Sequence, residues 1–348
     1  MHNRVRGHDS NYGDRDERGN LMKHKSSLVV AFLVSTSVLF AAGSPASAAP
    51  VVKKIAFFGY WKSNSFTKAV LAGVNQAAKA AGVKVVDLST AAYDGVAQVK
   101  AVQDQTVKHD AQVYIFLATD PVGMATAARE AIAKGITVVA AYAPLGAKFD
   151  TLQPQVPGLI VAAETPVGNG QNLAKLAAKA CATRNPCNVA YLEGLKTLPL
   201  DNARTAAFKK TLAAIAPQAK LVADVEGGYA LASGKKAAQD VIQSNPDVNV
   251  MVGSSQAIIG ASSVVDTSKV ALIGNGSSTE AFAGVNNGTW FGLYNLDVKG
   301  IGVKAAQMGI AKARGKKINP VFNVDTLKNV LGTKDVIAGQ KSTYSDLG

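Results

Sequence analysis

Residues 54–88 have the sequence KIAFFGYWKSNSFTKAVLAGVNQAAKAAGVKVVDL, in which two short apolar runs flank an Ala-rich amphipathic segment. The runs at 54–59 and 83–88 are nearly continuous in apolar residues, which favours strands buried on both faces. The segment 65–81 repeats its apolar positions at helical spacing. This stretch therefore predicts a strand–helix–strand unit with parallel strands.

The same alternation continues along most of the chain. Further strands are predicted at 112–117, 136–141, 158–162, 188–192, 220–225, 248–252, 270–273 and 290–293. Further helices are predicted at 96–109, 121–134, 167–180, 202–216, 234–243 and 298–313. Ten strands are too many for one sheet here, so we expect an α/β fold with two doubly wound parallel-sheet lobes. The stretch 151–157, with two prolines, is interpreted as the connection into the second lobe.

Residues 1–48 have the features of an upstream extension followed by a cleavable signal peptide. A basic stretch at 22–25 precedes an apolar run at 28–42, and Ala46-Ser47-Ala48 fits a secretory cleavage site. The apolar run is short for a membrane span, although an uncleaved anchor stays an alternative. Because 1–21 is polar, either Met1 or Met22 could be the start. We expect export to the periplasm as a soluble protein, without a lipid anchor.

The distribution of charged residues bears on whether the protein binds nucleic acid. After removal of the leader the chain carries 31 Lys and Arg against 20 Asp and Glu, but the basic residues are dispersed and lack interleaved aromatics. We therefore expect no nucleic acid partner. The two cysteines, Cys181 and Cys187, lie close together in the sequence, and in an oxidising compartment we expect them to close a small structural disulfide loop.

The histidine count argues against several kinds of active site. Three of the four histidines lie in the leader, which leaves His109 at the end of a predicted helix. Histidine-based triads and metal clusters are thereby disfavoured, and no G-x-S-x-G motif occurs at a strand-to-helix turn. The glycine-containing stretches 228–236 and 274–278 depart from phosphate-binding and dinucleotide-binding patterns. We expect no enzymatic activity, no metal and no cofactor.

Aromatic residues recur just after predicted strands. Tyr60, Trp61, Tyr142, Tyr229 and Tyr294 all occupy such positions, next to amide and hydroxyl side chains. Ligands of open parallel sheets bind beyond the carboxyl ends of the strands. The pattern therefore predicts a site for a small molecule with apolar faces and a few polar groups.

Several short motifs along the chain resemble those of a known family. Their order is Lys54–Tyr60, Asn64–Phe66, Ala72-Gly73-Val74, Thr119-Asp120-Pro121, Lys134–Val138, Leu192-Glu193-Gly194, Arg204 with Phe208, Gly260-Ala261 and Ile273-Gly274. Because these motifs occur in this order along the chain, the mature protein resembles the ribose-binding-protein-like, type I periplasmic binding proteins. The resemblance implies two lobes, 50–162 with 295–323 and 163–294 with 324–348, joined by a three-crossover hinge. It also implies a monomer that delivers its ligand to an ABC transporter permease.

The resemblance further implies a set of ligand contacts. The predicted ligand-binding residues are Tyr60, Asn64, Phe66, Tyr142, Arg204, Tyr229, Ser254 and Tyr294. The chain departs from the sugar binders where Tyr142-Ala143 replaces an Asp-Arg pair, Gly276 replaces an Asp and Tyr294 replaces a Gln. These changes remove charge-assisted acceptors for sugar hydroxyls and leave Arg204 without those partners. We expect a sugar-like compound, a polyol, or a small aromatic or anionic compound.

Simpler interpretations stay open for individual residues. Asp120 is expected to cap a helix, and Phe66 could pack beneath its own helix. Arg204 could form a salt bridge with Glu193 or Asp201 rather than bind ligand. At the level of the whole chain, an extracytoplasmic sensor or chemotaxis component is the main alternative to a transport protein. A transcription regulator and a hydrolase are less well supported by the sequence.

Overall fold

The computed structural model of the protein describes residues 50–347. The predicted leader, its cleavage site and both candidate start residues lie outside the described residues.

The first of two six-stranded sheets is entirely parallel. It contains β1 (Lys54–Phe58), β2 (Lys84–Asp87), β3 (Val113–Phe116), β4 (Thr137–Tyr142), β5 (Ile160–Ala163) and β11 (Val321–Asn323), in the order β11-β5-β4-β3-β1-β2. The helices that pack on it are α1 (Ser65–Ala80), α2 (Gly95–Lys108), α3 (Pro121–Ala133) and α9 (Val298–Ala313). Alternate residues of its central strands enter different hydrophobic clusters, so both faces of this sheet are buried, as is typical of parallel sheets.

The second sheet repeats the arrangement with one antiparallel edge strand. It contains β6 (Cys187–Glu193), β7 (Ala219–Glu226), β8 (Val250–Ser254), β9 (Ala271–Asn275), β10 (Gly292–Tyr294) and β12 (Leu331–Gly332), in the order β12-β10-β9-β8-β6-β7. Its helices are α4 (Pro166–Cys181), α5 (Pro199–Ile215), α6 (Leu231–Ser244), α7 (Ser255–Ser262), α8 (Thr279–Asn287) and α10 (Lys334–Ile337). The predicted fold class, two doubly wound α/β lobes, is confirmed.

The chain passes between the two sheets three times. The passages follow β5, β10 and β11, and the last begins with a 3-10 turn at Val324–Leu327. The prediction that 151–157 leads into the second lobe is wrong, because this loop joins β4 to β5 and these strands pair in the first sheet. The two prolines therefore do not mark the start of a new lobe, because the chain leaves the first sheet only after Ala163. The lobe boundaries given above stay a prediction.

Glycines let neighbouring helices approach closely. Gly73 of α1 and Gly302 of α9 lie against each other's helix, where an added Cβ would collide with the backbone at Lys299 and Val70. A disulfide bond between Cys181 and Cys187 joins the end of α4 to the start of β6. Among the described residues, no helix combines the length and apolar character needed to cross a membrane.

Candidate functional site

A cavity of about 270 Å³ is lined by residues that follow strands of both sheets. Tyr60 comes after β1 and Tyr142 ends β4 in the first sheet. Tyr229 comes after β7 and Asn275 ends β9 in the second sheet. The carboxyl ends of parallel strands leave their loops and helix N-termini open at this edge, which explains why the cavity forms there.

Aromatic rings form a continuous wall on one side of the cavity. The rings of Phe66 and Tyr142 meet edge to face with their centroids 4.9 Å apart. Tyr60 stacks on Tyr93 at 6.0 Å, and Trp61 meets Tyr93 edge-on at 5.7 Å. Offset and edge-to-face pairs of this kind are favourable geometries for aromatic side chains. The rings therefore hold one another in place around the cavity.

Tyr344, near the end of the described chain, adds a ring from the second lobe. Its centroid lies 5.9 Å from that of Phe66, and the side chain is buried. The Tyr344 hydroxyl accepts a hydrogen bond from the backbone N–H of Ser277 at 3.0 Å. The C-terminal segment thus contributes directly to the cavity wall.

Tyr142 has an unusual backbone conformation for a residue with a large side chain. Its φ is 69°, in the left-handed region that non-glycine residues rarely adopt. Such a conformation costs on the order of 1–2 kcal/mol, which the surrounding structure must offset. Strained residues of this kind cluster at functional sites. The observation supports a role for Tyr142 in the cavity beyond simple packing.

A buried ion pair forms the polar part of the wall. The Nη1 of Arg204 lies 2.6 Å from Oδ1 of Asp201, one turn earlier on α5, and 3.1 Å from the Tyr229 hydroxyl. The Tyr229 hydroxyl in turn donates to Oδ1 of Asp201 at 2.7 Å. The other Asp201 oxygen accepts from the N–H of Leu195 at 2.8 Å. Arg204 therefore has a carboxylate partner supplied by its own helix.

A close helix contact sets the position of Arg204. Gly170 of α4 lies against α5 where an added Cβ would collide with the backbone carbonyl of Arg204. Because α4 and α5 pack this closely, the arginine side chain is 4% exposed and yet lines the cavity. Its Nε has no hydrogen-bond partner within residues 50–347.

The structure brings six of the eight predicted ligand-binding residues to the cavity wall. They are Tyr60, Asn64, Phe66, Tyr142, Arg204 and Tyr229. Asn64 also caps α1, because its Oδ1 accepts from the N–H of Thr67 at 2.8 Å. Asp120 caps α3, as predicted, and lines the cavity as well.

Ser254 and Tyr294 are not brought to the wall. The Ser254 hydroxyl caps α7 and donates to the carbonyl of Gly228 at 2.7 Å, so it is engaged within the second lobe. Tyr294 is fully buried, and its hydroxyl donates to Oδ1 of Asp325 at 2.7 Å. Both residues are engaged in hydrogen bonds within the framework and do not line the cavity.

Tyr294 belongs instead to an acidic cluster at the crossovers between the lobes. Glu164 follows β5, Tyr294 ends β10 and Asp325 follows β11, so each of the three passages contributes one residue. Burial, helped by the negative charge of Asp325, raises the pKa of Glu164 to about 8. The Nδ2 of Asn169 lies 3.4 Å from Oε2 of Glu164 and 3.1 Å from Oδ1 of Asn275, which lines the cavity. The hinge and the cavity are therefore connected by hydrogen bonds.

Sequence reasoning missed several wall residues. Tyr93 lies in the loop between β2 and α2, and Tyr344 lies in the C-terminal segment, where no strand end marks them. Asp201 was considered only as an alternative partner of Arg204, although its spacing of three residues on a helix was the available signal. Within residues 50–347, no three His, Cys, Asp or Glu side chains are arranged to hold a metal ion.

Comparison with known proteins agrees with this architecture. Residues 55–317 match the family model of the periplasmic binding protein domain. The chain belongs to the periplasmic binding protein family. A comparison with curated proteins finds no match to the sequence.

Solved structures of this family share the fold at low sequence identity. A solute-binding protein of an ABC transporter from Mycobacterium smegmatis, with bound glycerol, is 20% identical, with a TM-score of 0.70 over 85% of this chain and 99% of that chain. An Agrobacterium radiobacter carbohydrate transporter solute-binding protein, in complex with D-arabinose, is 20% identical, with a TM-score of 0.70 over 83% and 97%. An Actinobacillus succinogenes protein with bound D-allose is 18% identical, with a TM-score of 0.69 over 78% and 96%.

Proposed function

We propose that this periplasmic binding protein is the exported capture component of an ABC importer and holds a small molecule, chemically unaltered, between its lobes. The observation that supports this most directly is the cavity, because its wall joins strand-end residues of both sheets. Three chain passages between the sheets give the geometry of a hinge. Hinge closure around a ligand is a known behaviour of such two-lobed proteins.

The wall chemistry suits binding rather than catalysis. Among the described residues that line the cavity, none is a His or a Cys. The buried carboxylate, Asp201, already accepts hydrogen bonds from Arg204, Tyr229 and Leu195, so it is not free to act as a base. Ser255 lies at the wall, and its hydroxyl donates to the side-chain oxygen of Gln256 at 3.4 Å.

Transport is better supported than sensing. The similar solved structures are described as solute-binding proteins of transporters, which favours a permease as the membrane partner. We propose that Tyr60, Phe66, Tyr142, Arg204 and Tyr229 contact the ligand, with Asn64 at the rim. We also propose that the mature protein is a monomer in the periplasm.

Small-angle scattering tests this function. A thermal-shift screen of sugars, polyols, aromatic compounds and small anions first identifies a ligand, because a compound that binds the folded state raises the melting temperature. Saturation with that ligand should then reduce the radius of gyration. An unchanged radius at saturation, or turnover of the ligand by purified protein, would contradict the proposal.

A further inference from the structure

Hydrogen-bond donors outnumber free acceptors in the cavity. Within residues 50–347, the hydroxyls of Tyr60 and Tyr142 have no hydrogen-bond partner, and Nη2 of Arg204 donates to no group. The Nε of Arg204 is also unpaired, but it is fully buried and is not counted among the donors that a ligand can reach. Both oxygens of Asp201 are engaged, as described above. Asp120, the other carboxylate at the wall, is exposed; its Oδ1 caps α3, which leaves its Oδ2 as the one free carboxylate acceptor among the described residues of the wall. A ligand of this cavity must therefore bring acceptor atoms of its own.

The charges at the wall favour an uncharged ligand. Arg204 and Asp201 neutralise each other, and both side chains are almost fully buried, whereas Asp120, the third charged residue of the described wall, is exposed to solvent. A ligand carboxylate would compete with Asp201 for the arginine and leave an excess negative charge in a poorly hydrated space. An organic cation would lie next to Arg204. Burial also raises the pKa of Tyr60 and of Tyr142, so neither offers a phenolate to a cation.

The shape and polarity of the wall favour a ring with few hydroxyls. Besides the aromatic wall described above, the cavity is lined by Leu195, Leu198 and Leu200, which lie between β6 and α5 and in the first turn of α5. Hydroxyl groups on the part of a sugar ring that lies against these leucines would have no hydrogen-bond partners. Each unpaired hydroxyl costs about 1–3 kcal/mol when it is buried. A flat apolar ring has no hydroxyl groups to bury, so it binds against these leucines without that cost.

We infer that the ligand is an uncharged ring compound that carries one or two carbonyl or ether oxygens and few hydroxyl groups. The carbonyl oxygen accepts hydrogen bonds from Arg204 and from the Tyr142 hydroxyl, while the ring packs against the aromatic wall. This inference rests on the proposed function and narrows it to one class of ligand.

Two sets of probes test this class of ligand, each with a ketone, a carboxylate on the same number of rings, and a monosaccharide. Acetophenone is compared with benzoate and D-arabinose, and 1-tetralone with 1-naphthoate and D-allose. Trp61 lines the cavity and Trp290 is buried away from it, so a Trp290→Phe variant reports binding through Trp61 fluorescence. Calorimetry on the unmodified protein gives the dissociation constants. At least one ketone should bind at least about tenfold more tightly than its matched carboxylate and sugar, the discrimination expected from one buried unpaired group.

Two tyrosine variants test whether the ketone binds in the cavity. Tyr142→Phe should weaken ketone binding by about three- to tenfold, the loss of one hydrogen bond. Tyr114→Phe removes the same atom from a buried tyrosine outside the cavity wall and should leave ketone binding unchanged. The inference is overturned if a carboxylate or sugar binds more tightly than its matched ketone, if no ketone binds below millimolar concentration, or if both variants behave alike. A sugar that binds and compacts the protein would overturn the ligand class while supporting the proposed function.

Discussion

Glu164 should make the stability of the protein fall as the pH rises. Its pKa is about 8 in the folded protein and has its ordinary value of 4.5 in the unfolded chain. Below pH 4.5 both states hold the proton, so the folded state is not penalised. Between these values the unfolded chain loses the proton while the folded protein keeps it. The free energy of unfolding therefore falls by about 1.4 kcal/mol per pH unit, on the order of 5 kcal/mol across the window.

Glu164→Gln keeps the size of the side chain and cannot ionise, so it should abolish this slope. Urea unfolding followed by circular dichroism, at steps from about pH 5 to about pH 8, measures the difference between the variant and the unmodified protein. That difference should grow by more than about 1 kcal/mol per pH unit. Glu130→Gln, at an exposed site on α3, is the matched control and should follow the unmodified protein. Parallel stability curves for the unmodified protein and Glu164→Gln would refute the reasoning.

Two further predictions concern the buried ion pair and the disulfide. Arg204→Met alone should lower the free energy of unfolding by about 3–5 kcal/mol, because it leaves the Asp201 carboxylate buried without its cation. The double variant with Asp201→Asn should recover part of that loss in the same urea measurement, and a purely additive double variant would contradict the pairing. Replacing both Cys181 and Cys187 by Ala should lower stability by about 2 kcal/mol, as expected for so short a closed loop. A reducing agent should lower the melting temperature of the unmodified protein and leave that of the double Ala variant unchanged; an equal response of both would argue against the disulfide.

Most of the fold could be predicted from the sequence because buried parallel strands leave a strong local pattern. Ten of the twelve strands in the described part of the chain overlap apolar runs identified in the sequence. β11 and β12 have only three and two residues, too few to show a period, and they form only by pairing with distant strands. The loop at 151–157 was misassigned because prolines mark a turn without specifying which sheet follows it.

The site was predictable where it depends on strand ends. Tyr60 and Tyr142 could be placed at the cavity because a parallel sheet gathers its carboxyl ends at one edge. Tyr294 also ends a strand, yet its ring lies in the core and its hydroxyl binds Asp325 across the hinge. Side-chain direction at a strand end depends on tertiary packing, which the local sequence does not encode. Tyr344 reaches the cavity only through long-range contacts of the C-terminal segment.

The place of Tyr344 has a practical consequence for handling the protein. Backbone and side-chain bonds fasten its segment to the second lobe: Thr279 donates to the Tyr344 carbonyl, and Ser345 donates to Glu280. Deleting the chain from Tyr344 onward would open the cavity beside Phe66 and release these anchors together. Shortened forms of the protein made for ligand screening should therefore keep the chain at least to Leu347, the last of the described residues.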